Sequence, residues 1–282
     1  MNAVLQARYG DAAPAIHLPA LPALDAMLGH RSVRHFLRDA LPDNTIETLV
    51  AAAQSAPTSS NLQTWSVIAV ESQERREALA NLVGPQKHLA VAPLVLVWLA
   101  DLSRIERLGQ AQGRHPVGLN YLDTFLMGVI DAALAAQNAV VAAEAMGLGT
   151  DYVGAMRNQP EEVAKVLGTP RNVFPVFGLV VGYPDPARPA DIKPRLPQSA
   201  VLHREQYQVP ADVQAEIGNY NANLRAFMRD QGMKEMDWSA QVVDRLLTPD
   251  ELKGRHRLYE ALRHAGFGYA DIEAAYPPEA QS

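Results

Sequence analysis

The chain has 282 residues, 48% of them hydrophobic and 20% charged, a formal net charge of -6 and no cysteine. The acidic balance argues against general affinity for nucleic acid. The missing cysteine removes disulfides, thiolate nucleophiles, iron–sulfur ligation and cysteine-type zinc sites together.

Residues up to about Leu21 are poor in charge and broken by prolines, and residues 1–24 read as an N-terminal arm, loose or draped on a partner. They lack a basic stretch followed by an unbroken apolar run, so no signal peptide is expected. "LPDNTIETLVAAAQSA" is a helix, with Asp43 as its candidate N-cap and Ile46, Leu49, Val50 and Ala53 on one face. "APTSSNLQ" is a polar loop, "WSVIAVE" a strand by β-branched content, and "SQERREALANLVG" a short helix. "PLVLVWLAD" is a continuous apolar run and so a buried strand.

A long alanine-rich helix follows, Tyr121 to Met146, apolar on nearly every face; it runs through a core or pairs with a second subunit. Asp123, Asp131 and Glu144 exclude it as a bilayer span, which needs about 20 mostly uncharged residues. Gly147 and Gly149 close it. "TDYVG" is a short strand. Asn158 then caps "QPEEVAKVLG", with Pro160 in the first turn and Glu161 at the capping-box position. "FPVFGLVVGYP" is a second buried strand. Residues 184–200 are proline-rich and extended, and residues 211–230 form an amphipathic helix. The rest, to about residue 270, holds one or two helices anchored by Trp238, Leu246, Leu247, Leu258 and Leu262. The mixture is α+β or α/β.

Several chemistries lack their motifs. There is no His-Glu-x-x-His pattern, no Gly-x-Ser-x-Gly elbow and no phosphate-binding Walker loop. The glycines of "GLGTDYVG" close a helix and precede a strand, the reverse of a dinucleotide fingerprint.

Clusters of cations and polar groups stand out instead. "HRSVRHF" sets Arg31 and Arg34 three apart, on one face if the segment is a helical turn, with Ser32 between them. In "DIKPRLP" the proline forces an extended chain, so Lys193 and Arg195 point the same way. Four fixed cations and a serine together suit a phosphate monoester, although each cluster alone reads more readily as solvated surface. "APTSSNLQTW" crowds Thr58, Ser59, Ser60, Asn61 and Gln63 into one loop, either a plain polar turn or a donor set for a polar heterocycle. "YVGAMRN" ends a strand in Gly154, where backbone can approach a flat ligand. Its Arg157 stands just before a helix N-terminus and calls for a counter-anion or other partner.

"HRSVRHF", "APTSSNLQTW", "GPQKH", "GLGTDYVGAMRN", "FPVFGLVVGYP" and "KPRLP", in this order and spacing, resemble the FMN-dependent nitroreductase family. The likeness is closest to its oxygen-insensitive NADPH nitroreductases and flavin reductases. It implies an α+β, nitroreductase-like fold, a central mainly antiparallel sheet wrapped by helices in an intertwined homodimer. It implies an FMN-binding core over 25–205 and a helical excursion and tail over 206–282. It also implies a cytoplasmic, ping-pong oxidoreductase moving two electrons from NADPH or NADH to a nitroaromatic or quinone-type small molecule, with no membrane or nucleic-acid partner. Free flavin is the alternative acceptor, and a non-catalytic flavin-binding protein a third possibility.

By motif, His30, Arg31, Ser32 and Arg34 would hold the FMN phosphate and ribityl chain, with Lys193 and Arg195 completing the phosphate site. Thr58, Ser60 and Asn61 would lie along the flavin and Gln86 would bond its pyrimidine edge. Gly154 and Ala155 would present amides near N5, beside Tyr152 and Val153. No protein acid, base or metal is implied. The NADPH-preferring branch is rich in arginine before its late tryptophan. Here "RDQGMKEMDW" keeps only Arg229 and Lys234 beside Asp230, Glu235 and Asp237, so the nucleotide preference stays open.

Overall fold

The computed structural model describes residues 2–16, 18–84, 86–209 and 212–270. In chain order the helices and strands are α1 (Asn2–Tyr9), α2 (Pro22–Leu28), α3 (Thr45–Gln54), β1 (Trp65–Val70), α4 (Gln73–Val83), α5 (His88–Val91), β2 (Leu94–Asp101), α6 (Ser103–Ala111), α7 (Leu122–Ala145), β3 (Gly149–Val153), α8 (Pro160–Leu167), β4 (Val173–Gly182), α9 (Val213–Asp230), α10 (Trp238–Asp244) and α11 (Leu258–His264). They fall into two compact units, each assembled from segments distant in sequence. A helical unit takes the chain up to Val33 and Pro186–Leu252, and a sheet unit takes Arg34–Asp185 and the chain from Lys253.

The sheet unit carries a four-stranded sheet in the order β1-β2-β4-β3, with every neighbouring pair antiparallel. This settles the class as α+β. All eight residues of β2 are buried, as its unbroken apolar run requires. Helix α7 lays Ala132, Ala135, Ala136, Ala139 and Ala143 into one cluster with Leu94, Leu96, Trp98, Leu179 and Val181 of the central strands. Small residues let the helix come close. A Cβ on Gly128 would stand 3.1 Å from the Ala100 Cβ. Leu49 and Ala53 of α3 complete this cluster; burying such a leucine contributes about 1.5–3 kcal/mol. A second cluster stacks Phe125, Phe174 and Phe267 edge to face, with centroids 5.2–6.3 Å apart. By length and composition α7 could cross a bilayer, but here it is the core helix of this unit.

In the helical unit α9 buries Tyr220, Leu224 and Met228. Trp238 stands edge-on to Tyr220 at 5.5 Å. Asp212 caps α9 by accepting from the Ala215 amide at 3.1 Å.

Several local readings need correction. Within residues 1–24 α1 forms and α2 begins, and Leu5 and Arg8 are buried, so the segment is not loose throughout. Asn44 and Gln159, rather than Asp43 and Asn158, precede α3 and α8, and neither supplies a side-chain cap. Gly147 ends α7 in the left-handed region at φ 78°, but Gly149 opens β3. Leu246 and Leu247 are exposed rather than anchors. "HRSVRHF" is no helical turn: residues 30–36 run without helix, and Phe36 bridges to Pro184. Helix α7 is not covered all round, for Leu126, Ile130 and Leu134 form an exposed apolar stripe four residues apart. The residues after 270, the end of the reading 206–282, lie outside the described residues.

Candidate cofactor site

In the helical unit the two cationic motifs meet on a residue neither contains. Arg8, 9% exposed, donates from Nη1 to the Lys193 carbonyl at 2.9 Å. Its Nη2 donates to the carbonyls of Leu28 and His30 at 2.9 and 3.3 Å. The Arg195 amide in turn donates to the Arg8 carbonyl at 2.8 Å. One buried guanidinium therefore ties the backbone of His30 to that of Lys193, the Arg8 carbonyl holds the Arg195 amide, and the Arg195 side chain donates to the Pro194 carbonyl at 3.1 Å. Pro194 is buried between the half-buried Lys193 and the exposed Arg195, the alternation an extended strap requires.

Burial, and after it the positive charge of Arg195, push the Arg8 guanidinium down from its ordinary value. An anion nearby would ease this repulsion between like charges, and a phosphate group is one that guanidinium groups receive well. Arg31 lines a cavity of about 420 Å³ with Asp191, Asn223 and Asp230. Ser32 is half-buried beside it.

The sheet unit holds Arg34, which reaches Asp151 at 3.1 Å. Arg31 and Arg34 thus have different surroundings and do not share a helical face. The polar loop is shaped by a carboxylate missing from the sequence-derived set. Asp131, buried in the middle of α7, takes the Thr58 hydroxyl at 2.6 Å and the Ser59 amide at 3.1 Å. It also takes the Thr64 amide at 3.1 Å and the Thr64 hydroxyl at 2.9 Å. Burial works to raise the Asp131 pKa, but these hydrogen bonds outweigh it and the net shift is downward.

The loop they fix is strained: Ser60, Asn61 and Gln63 all have positive φ, at 48°, 55° and 52°. Thr58 is engaged inside the loop, also accepting from the Gln63 amide at 2.9 Å, which leaves Ser59, Ser60 and Asn61 at the surface. A carboxylate holding exposed hydroxyls and an amide in a fixed strained loop suits recognition of a polar ring edge.

Gln86 is half-buried just before α5, its carbonyl accepting from Leu89 at 3.0 Å. Tyr152 stands edge-on to Phe177 at 5.3 Å, Val153 is buried, and Gly154 and Ala155 open a short turn beyond β3. Arg157, which calls for a counter-anion or other partner, finds a partner in the Val176 carbonyl, to which it donates, and burial lowers its pKa. Beside the late tryptophan, Arg229 makes a two-pronged pair with Glu235 at 2.9 and 2.8 Å, and Arg225 pairs with Asp237.

The fold defines an α+β protein, with a cationic strap held on a buried arginine in one unit and a braced polar loop in the other. The chain belongs to the Nitroreductase family. Residues 27–183 match that family and residues 193–270 match its C-terminal domain. It is 38% identical over 248 residues to the FMN reductase (NADPH) of Bacillus subtilis, covering 86% of this chain and 97% of that protein. It is 40% identical over 212 residues to the oxygen-insensitive NADPH nitroreductase of Salmonella typhimurium, covering 75% and 84%. Its fold is similar to the solved NADPH:FMN oxidoreductase from Vibrio harveyi complexed with NAD+. There the TM-score is 0.77 and the identity 30%, over 88% of this chain and 99% of that one.

Proposed function

We propose that this member of the Nitroreductase family is an FMN-dependent oxidoreductase that uses NADPH or NADH to reduce nitroaromatic or quinone-type small molecules. The observation that carries the reading is the gathering of the "HRSVRHF" and "KPRLP" motifs on Arg8 in a chain of this family. Bound FMN would supply the redox chemistry, taking two electrons from the nicotinamide and passing them to the acceptor.

The chain's own residues bind and orient. In this reading His30, Arg31, Ser32, Lys193 and Arg195 neutralise and orient the FMN phosphate, with Arg34 on the phosphate or ribityl chain. Ser60 and Asn61 meet the flavin from the Asp131-braced loop, and Thr58 acts mainly by shaping that loop. Gln86 bonds the pyrimidine edge. Gly154 and Ala155 offer backbone amides near N5, with Tyr152 and Val153 packed beside them. No side chain is assigned as acid or base, and solvent supplies protons.

The same proposal includes a homodimer, supported by the apolar stripe Leu126, Ile130 and Leu134 that α7 leaves uncovered. It places the enzyme in the cytoplasm, where reduced nicotinamide nucleotides are held. The likeness to the FMN reductase of Bacillus subtilis favours a second reading of the acceptor, free flavin; product assays on matched acceptors separate the two. The deciding experiment is the visible spectrum of the purified protein before and after anaerobic NADPH or NADH. A flavin spectrum that bleaches with either nucleotide is the expected result. No flavin, even after reconstitution with FMN, refutes the reading. Arg31→Ala combined with Lys193→Ala should lose FMN; full retention would place the phosphate elsewhere.

A further inference from the structure

Asp151 is an acid in the middle of a buried strand. Its side chain is 4% exposed, between Thr150 and Tyr152 on β3. A carboxylate so placed carries a desolvation cost that only close partners offset. It has two, one on each oxygen. Oδ1 faces Arg34 Nη2 at 3.1 Å, and Oδ2 faces His88 Nε2 at 3.0 Å. The His88 contact is close but off-axis, without good hydrogen-bond alignment. His88 is itself buried and stacks on Phe36, with ring centroids 6.4 Å apart and 27° between the planes. Arg34 is different. Its side chain is 52% exposed, so Asp151 grips one prong of the guanidinium and leaves the rest of the fork accessible.

The three partners come from three separate stretches. Arg34 belongs to "HRSVRHF". His88 opens α5, two residues after Gln86. Asp151 itself lies mid-strand on β3, three residues before Gly154, which follows the strand. These are the stretches that the proposed function assigns to the flavin phosphate, the pyrimidine edge and N5.

We propose that Asp151 is a positioning residue for flavin binding. Its carboxylate aims the Arg34 fork and, through His88, seats the turn that carries Gln86, so one buried charge sets the relative placement of three ligand-contacting segments. The inference rests on the reading of Arg34 and Gln86 as flavin contacts. Asp151 touches no ligand and acts only through its neighbours.

The test is a double-mutant cycle on FMN affinity, read by flavin fluorescence in wild type, Asp151→Asn, Arg34→Gln and the double variant. Asp151→Asn should weaken FMN binding on the order of tenfold, the scale on which supporting partners tune a ligand set. Arg34→Gln should weaken it at least as much, and the double variant should lose less than the sum of the two single losses, what remains beyond Arg34→Gln being the part Asp151 exerts through His88. A purely structural role moves affinity equally in both backgrounds, so additive losses overturn the proposal. A neutral Asp151→Asn beside a damaging Arg34→Gln overturns it while leaving Arg34 at the flavin. A neutral Arg34→Gln removes Arg34 from the flavin site and takes the proposal with it. Should Asp151→Asn fail to fold, the guanidinium ¹H–¹⁵N resonances of the wild-type protein decide. The Arg34 signal, assigned by its loss in Arg34→Gln, should stand apart from the exposed arginines before FMN is added. A signal averaged among them shows no fixed fork and overturns the proposal.

Discussion

Asp131→Asn isolates what holds the polar loop. The side chain keeps its size, so packing of α7 against the sheet is undisturbed. The wild-type carboxylate accepts four hydrogen bonds, from Thr58, Ser59 and twice from Thr64. Placing the amide oxygen where Oδ2 stands preserves three of them, but as neutral bonds, and turns an NH₂ toward the Ser59 N–H. A hydrogen bond to a charged group contributes about 1.5–3 kcal/mol against about 1 for a neutral one, and a stranded buried donor costs about 1–3, so partial relaxation leaves a loss of roughly 2–4 kcal/mol. Three left-handed residues, Ser60, Asn61 and Gln63, lose the brace that offsets their strain.

Urea unfolding with the midpoint and slope both followed should show that loss, and hydrogen exchange should speed up first between residues 58 and 64. A variant within about 0.5 kcal/mol of wild type, the range of an uneventful surface change, would refute the reasoning. The acid limb gives an independent check. The folded Asp131 holds its proton less tightly than the unfolded one. Its contribution is therefore fully present above the unfolded carboxyl value and is lost as pH falls through the lower folded value. Asp131→Asn should flatten stability against pH in that acid window and leave the neutral range parallel to wild type.

Two further outcomes follow from the same geometry. Arg8→Gln strips donors from the carbonyls of Leu28, His30 and Lys193. It should destabilise the protein by about 2–3 kcal/mol in a urea melt and also weaken FMN binding, because backbone rather than side chain is what Arg8 aligns. Ile130→Glu puts a charge into the exposed α7 stripe without touching its buried alanines. Sedimentation velocity should show the variant as monomer and wild type as dimer, with both retaining the same far-UV circular dichroism.

Much of the fold is legible in the sequence because burial writes itself into composition. The run "PLVLVWLAD" admits no polar face, and the strand there, β2, is buried at every residue. The alanines of α7 announce close helix packing, and they are the residues that lie on the sheet. Short and boundary elements are less legible. Nothing in "NAVLQARY" sets α1 apart from a loose arm, since what makes it worth ordering is one arginine bonded to carbonyls as far along the chain as residue 193. Local propensity cannot register a partner that distant. The segment 30–36 misleads in the opposite sense: Arg31 and Arg34 have helical spacing, but the bridge from Phe36 to Pro184 holds the chain extended.

The candidate site divides along the same line. Residues that present chemistry to a ligand cluster in short polar or cationic motifs, and motifs are what a sequence displays. The residues that hold those motifs in place are buried charges among apolar neighbours, Asp131 in α7 and Asp151 in β3. On paper each resembles a tolerated impurity in a hydrophobic run. The structure turns that inference around, since a buried carboxylate is too costly to be incidental. Asp131 marks a place where a loop must be held against its own preference, as the three left-handed residues beside it testify. The sequence therefore does carry a signal for the supporting residues. An acid set among apolar neighbours in a helix or strand predicts a partner, and only its identity must wait for the fold: Thr58, Ser59 and Thr64 for one, Arg34 and His88 for the other.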